Sequence, residues 1–280
     1  MLRSLTNLFC SMTKSLEILY VAEGLKRVSR IIVSEENADK ALELIKSYSL
    51  KAVTSDFKIK KQTDADRQYS DKGFRLPSNS GEQGELFIYV ARMVEDALRA
   101  KDFEAQNLHT ELGKILGYPG CCIGFFDRNF PIESKRKNDY VLKSLENSDG
   151  YIFSYYTNVA IRHLDITPIS HFPCNFNCTE SIEIAKRNLK LIRLLSPELH
   201  KTFEGILKSA VIYTESGVFV FRNYKINVTE LQYTEVLGNV NNKLFNLINS
   251  HKNISIKGKN YFIVGDVHIK GSEIGILVYQ

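Results

Sequence analysis

Four of the five cysteines in this 280-residue chain fall in two short stretches. One is Gly117-Tyr118-Pro119-Gly120-Cys121-Cys122-Ile123-Gly124-Phe125-Phe126, and the other is His171-Phe172-Pro173-Cys174-Asn175-Phe176-Asn177-Cys178. The fifth is Cys10. Thiolates bind soft metals and attack electrophiles, so the clustering points to a cysteine-centred site. The candidate ligand set is one of Cys121 and Cys122, together with Cys174, Cys178 and His171. Three cysteines and one histidine make a tetrahedral zinc set, and three cysteines with an open position suit a catalytic zinc. Iron–sulfur clusters also use thiolates, usually four. Without a metal, Cys174 and Cys178 are the principal thiols of a redox or nucleophilic site, with His171 as base. The plainest reading is packing alone, because cysteine outside disulfides is among the most buried residue types. Spacing does not separate these readings. Cys174 and Cys178 are not a Cys-x2-Cys knuckle, and about 50 residues divide the two stretches.

His171, Cys174 and Cys178 are spaced i, i+3, i+7 and would share one helical face. Pro173 detaches His171 from such a helix, because proline is tolerated only in the first turn. Two local structures remain. Either Pro173 opens the helix, or Asn177 is its N-cap with Glu180 at the capping-box position. In both, a thiol sits at a helix N-terminus, where the positive end of the dipole favours thiolate. Pro119 similarly opens a short helix bearing Cys121 and Cys122, with Phe125 and Phe126 as its apolar anchor. Neighbours on a helix diverge by about 100°, which predicts one of this pair facing the site and the other the core.

The remaining candidates are weaker. His109 and His163 are alternative bases, with Glu111, Asp165 and Glu180 as carboxylate partners. His200, His251 and His268 lie in the polar periphery, and Lys135-Arg136-Lys137 reads as a solvated basic loop.

The elements that must hold these residues follow from periodicity. Residues 16–29 and Ala38–Tyr48 read as helices around a strand at Arg30–Val33, with strand again at Lys51–Thr54 and Phe57–Ile59. That is a β-α-β unit without a glycine-rich phosphate loop. Residues 60–84 are polar and read as a connection; Glu85–Val90 is a strand, and Met93–Ala105 a helix. Leu108, Leu112, Ile115 and Leu116 mark a second helix that Gly117 stops. Asp127–Asn147 reads as a loop and a solvated helix, and Tyr151–Ile161 is undecided. A helix over 179–195 is closed by Pro197, and another covers 198–208. Beyond it come two hairpins, Ala210–Tyr213 with Val218–Phe221 and Ile254–Ile256 with Tyr261–Val264, a helix at Leu244–Ile248 and a last strand at Ile274–Tyr279. The predicted class is α+β: a small N-terminal α/β layer (1–84), a central cysteine-bearing, mainly helical region (85–208) and a C-terminal antiparallel β-rich module (209–280).

A net charge of +5 with pI near 8.8 is too mild for a dedicated nucleic-acid binder. Five cysteines without a regular framework do not form a secreted disulfide scaffold, which predicts reduced thiols and a cytoplasmic protein. No apolar run is long enough to span a membrane, and the opening residues read as a loose or helical leader.

The run Leu112-Gly113-Lys114-Ile115-Leu116-Gly117-Tyr118-Pro119, the Cys121-Cys122 pair with Phe125-Phe126, and His171-Phe172-Pro173-Cys174 with Cys178 and Ser181 resemble an uncharacterised archaeal domain family over residues 85–195. The resemblance implies an archaeal cytosolic origin and carries no activity. The functional expectation is an enzyme of unidentified small-molecule or macromolecular substrate, with zinc, an iron–sulfur cluster or redox thiols at its centre. Its competitor is a binding module with a structural metal or buried thiol core, whose β module contacts RNA or protein.

Overall fold

The structure, a computed structural model, describes residues 1–62 and 73–280. Its contacts divide it into two units, residues 1–62 with 73–138, and residues 139–280. The fold is α+β, and no described helix is long and apolar enough to cross a membrane.

The first unit opens with α1 (Leu2–Phe9) and α2 (Met12–Ala22). Leu5 is fully buried, so the opening residues are part of the fold. Ser11 caps α2 by accepting from the Lys14 N–H at 3.2 Å. Gly24, at φ +74°, ends the helical course before Val28, which starts β1 (Val28–Ser34) instead of closing a helix. Next come α3 (Ala38–Ser47), β2 (Lys51–Lys61), β3 (Gly73–Pro77), β4 (Glu85–Ala91), α4 (Val94–Ala105), α5 (His109–Ile115) and α6 (Gly120–Arg136).

The strand order is β1-β4-β2-β3, and every pair is antiparallel. The expected β-α-β unit is therefore split, with β4 inserted between its two parallel strands. The two apolar runs expected around Thr54 and Phe57 are one strand. Its register shifts between Thr54 and Lys58, where Ser55 Oγ donates to the Phe57 carbonyl at 2.6 Å and accepts from the Phe87 N–H at 3.1 Å. Within the expected polar connection, β3 is a short edge strand, where Pro77 is tolerated. Residues 63–72 of that connection lie outside the described residues. Val28, Tyr89, Ala91, Ala97, Ala100, Leu112, Ile115 and Leu116 form the core joining sheet to α4 and α5.

The second unit contains α7 (Val141–Glu146), β5 (Ile152–Phe153), α8 (Thr179–Leu195), α9 (Pro197–Leu207), β6 (Ala210–Thr214), β7 (Gly217–Arg222), β8 (Lys225–Asn227), β9 (Glu230–Gln232), β10 (Glu235–Leu237), α10 (Lys243–His251), β11 (Asn253–Gly258), β12 (Tyr261–Val264), β13 (Val267–Lys270) and β14 (Ile274–Tyr279). Two five-stranded sheets result, in the orders β10-β7-β6-β14-β5 and β13-β12-β11-β9-β8. Both predicted hairpins are present. The undecided Tyr151–Ile161 stretch supplies β5, which pairs in parallel with β14. One core, including Phe219, Phe221, Leu231, Ile254, Phe262 and Ile276, draws on both sheets and α10. Gly275 lets α7 lie against β14, since a Cβ there would be 2.3 Å from Leu145 Cδ2.

Candidate metal centre

The first cysteine stretch starts where α5 stops. Gly117 takes φ +77°, the Tyr118 N–H bonds the Gly113 carbonyl at 3.0 Å and the Gly117 N–H bonds the Lys114 carbonyl at 3.0 Å. This paired 6→1 and 5→2 arrangement is a Schellman ending, which needs a left-handed residue where Gly117 stands. Pro119 is the N-cap of α6, so Cys121 and Cys122 are the second and third residues of its first turn. The helix runs for 17 residues, well past the short helix expected, and absorbs the Lys135-Arg136 part of the supposed basic loop. Gly113 sets the approach of α5 to α6, because a Cβ there would lie 2.8 Å from Ile123 Cγ1.

The second stretch lies in a long irregular segment between α7 and α8. Three buried hydroxyls and the exposed Asn147 amide fix its backbone. Ser144 Oγ donates to the Pro173 carbonyl at 2.6 Å, and Ser148 Oγ accepts from the Phe176 N–H at 2.8 Å. Thr157 Oγ1 donates to the Phe176 carbonyl at 2.8 Å, and Asn147 Nδ2 to the Cys174 carbonyl at 3.2 Å. Ser144, Ser148 and Thr157 are all buried, and Phe176 anchors the segment against Phe153 and Tyr279. Ser144 and Ser148 stand one helical turn apart and so grip both sides of Cys174. Sequence reasoning missed all of these residues. Their only signal is a Ser-x3-Ser spacing, too common to single out.

Neither expected start of the helix after this stretch holds. Cys178 itself is the N-cap of α8. Asn175 and Cys178 instead close a turn, with the Cys178 N–H on the Asn175 carbonyl at 3.1 Å and the Asn177 N–H on Asn175 Oδ1 at 2.9 Å. The first helical bond of α8 runs from the Ile182 N–H to the Cys178 carbonyl at 3.0 Å.

The sulfurs of Cys121, Cys122, Cys174 and Cys178 all lie within 4.8 Å of one another. Cys122 and Cys178 are buried, Cys174 is half-buried and Cys121 is exposed. The expectation that only one of Cys121 and Cys122 takes part does not hold: their sulfurs are 3.9 Å apart and both belong to the group. The 100° divergence applies to the Cα–Cβ directions, and rotation about χ1 turns the two sulfurs toward each other. Four cysteines this close could hold a metal such as zinc or iron. Cys121, Cys122 and Cys178 each sit at a helix N-terminus, which favours the thiolate form that a metal requires.

His171 is not in the sulfur group. Its Nε2 lies 2.9 Å from Ser181 Oγ, both residues being buried. His109 packs at a tilt against Phe130 and edge-on against Phe126, with ring centroids 4.4 and 5.7 Å away, and burial lowers its pKa. Burial and the neighbouring Arg162 pull His163 down to about 4. Arg162 in turn lies 4.8 Å over the Phe172 ring and 3.4 Å from Asp139, which accepts a hydrogen bond from Tyr213. This set holds the residue next to His171. Glu111 pairs with Lys114 at 2.8 Å on the surface. Cys10 is exposed, its sulfur 3.8 Å from the Asn7 carbonyl, and lies outside the group.

Residues 91–209 match a family model. Its description is "Protein of unknown function (DUF483)". The match supports the expected uncharacterised domain family and spans both cysteine stretches, but it brings no activity. No curated protein and no solved structure matches the chain.

Proposed function

We propose that this is a metal-binding protein in which Cys121, Cys122, Cys174 and Cys178 together hold one tetrahedral ion, zinc first and a single iron second. The sulfur spacing carries this reading. Zn–S bonds of about 2.3 Å put tetrahedral ligand sulfurs about 3.8 Å apart, and the four sulfurs here lie within 4.8 Å of each other. Small side-chain rotations close the difference. In a [4Fe–4S] cluster each thiolate ligates its own iron, and in a [2Fe–2S] cluster each of two irons takes a pair of thiolates; in both, sulfurs on different irons are spread farther apart than around one ion. Four thiolates also fill a tetrahedral shell and leave no position for water, the mark of a structural site. His171 with Ser181 then acts from outside that shell, orienting the start of α8 rather than ligating.

Metal analysis of anaerobically purified protein, with an absorption spectrum, tests this. One colourless zinc or one red iron per chain, without sulfide, supports the single-ion site. Iron with stoichiometric sulfide replaces it with a cluster, and a chain without metal refutes it. Cys122→Ser and Cys178→Ser each remove a buried ligand and abolish stoichiometric binding, whereas Cys10→Ser leaves it unchanged.

A further inference from the structure

We infer that Cys121 is a modification site for hydroperoxides, and that Cys174 resolves it into a disulfide. The inference rests on the metal-centre reading, since it acts on the same four sulfurs. Three observations carry it. Within the group only Cys121 is exposed, while Cys122 and Cys178 are buried. Cys121 lies in the first turn of α6, with its sulfur within 4.8 Å of the other three. Cys174 is half-buried and lies in irregular chain, so drawing its sulfur forward breaks no helical bond.

The partner follows by geometry. Cα atoms of adjacent residues stand about 3.8 Å apart, closer than the roughly 4.4–6.8 Å that disulfides favour. Cys122 is therefore a poor resolving residue despite its near sulfur. Cys178 is buried and caps α8. Cys174 remains, with its sulfur within 4.8 Å of that of Cys121.

In the first step the Cys121 thiolate attacks one peroxide oxygen. An S–O bond forms, the O–O bond breaks, and an alkoxide or hydroxide leaves. The sulfur is oxidised by two electrons to sulfenic acid and the peroxide is reduced. In the second step the Cys174 thiolate attacks that sulfur, an S–S bond forms, the S–O bond breaks, and the departing hydroxide takes a proton to become water. The sum is two thiolates, one hydroperoxide and two protons giving one disulfide, one alcohol or water, and one further water. Two of the four ligands are lost to the metal, which makes the site a peroxide-sensitive release device.

The test uses the full chain loaded with zinc and treated with stoichiometric hydrogen peroxide. Zinc release is followed with a chromophoric chelator, remaining thiols are alkylated, and peptides are mapped by mass spectrometry. The expected result is joint loss of alkylation at Cys121 and Cys174, a linked peptide joining them, and zinc release in step, while Cys10 keeps its label. In Cys174→Ser, a dione probe should trap sulfenic acid at Cys121. Oxidation beginning at Cys122 or Cys178, a Cys121–Cys122 link, or a Cys121 that survives while Cys10 is oxidised overturns the inference. Zinc content is measured before the peroxide is added. A chain without zinc refutes the metal centre, and the cysteine map of that same chain still decides the role of Cys121.

Discussion

The core of the C-terminal sheets and the irregular segment that carries Cys174 and Cys178 are held in place by different means. Phe219, Phe221, Ile254, Phe262 and Ile276 bury apolar surface, and the hydroxyl of Tyr233 in the same core donates to the Ile248 carbonyl at 2.6 Å. The segment before α8 is held by Ser144, Ser148, Thr157 and Asn147, each bonded to the backbone around Cys174 and Phe176. Apolar burial is non-directional and tolerates small shifts. Buried hydrogen bonds are directional and fix where a backbone lies. A sheet core needs only to be dry, whereas the ligands of the proposed metal must be placed to within a fraction of an ångström. The two regions use the kind of force that each task requires.

The comparison can be broken in order of expected effect. Phe262→Ala in the sheet core should cost about 3–5 kcal/mol of unfolding free energy. It should leave metal binding intact wherever the chain remains folded, as denaturant melts and metal content would show. Ser148→Ala leaves the buried Phe176 N–H without its partner and should cost about 1–3 kcal/mol. Unlike the core variant, it should also weaken metal affinity, which a competition titration against a chelator measures. An affinity equal to wild type would mean that the serine framework does not position Cys174. Gly117→Ala forces a Cβ into a left-handed conformation at about 1–2 kcal/mol. Its effect should appear at Cys121 and Cys122 as faster alkylation of the metal-free protein.

The last test is of pH. His163 is held at about 4 in the folded chain, against roughly 6.5 when unfolded. Between those values the unfolded chain binds a proton that the folded one does not. Stability should therefore fall as pH drops from about 6.5 toward 4. His163→Gln should flatten that slope in a series of melts, and an unchanged slope would show that burial of this imidazole is not responsible.

Much of this was legible beforehand for physical reasons. The α8 stripe of Ile182, Ala185, Leu189 and Ile192 marks a helix, and the observed Thr179–Leu195 agrees with it. The hairpins around Glu215-Ser216 and Gly258 were visible because β-branched runs flank turn residues. The short strands β8, β9, β10 and β13 were missed, since three or four residues with polar members give no periodicity. β5 is two residues long and takes its conformation from β14. At the site, residue type found all four sulfurs, but helical geometry read at the Cα level removed one of Cys121 and Cys122. His171 drew attention by its i, i+3, i+7 spacing with Cys174 and Cys178, while its Nε2 lies against Ser181 Oγ on α8. Long-range bonds such as Ser144 to Pro173 leave no trace in local pattern.

X-ray absorption at the edge of the bound metal tests the single-ion centre most directly. Four sulfur scatterers at about 2.3 Å are expected if zinc is held as proposed, with no nitrogen or oxygen shell and no second metal nearby. A nitrogen or oxygen neighbour, a metal–metal distance, or a protein with no metal to measure would contradict it.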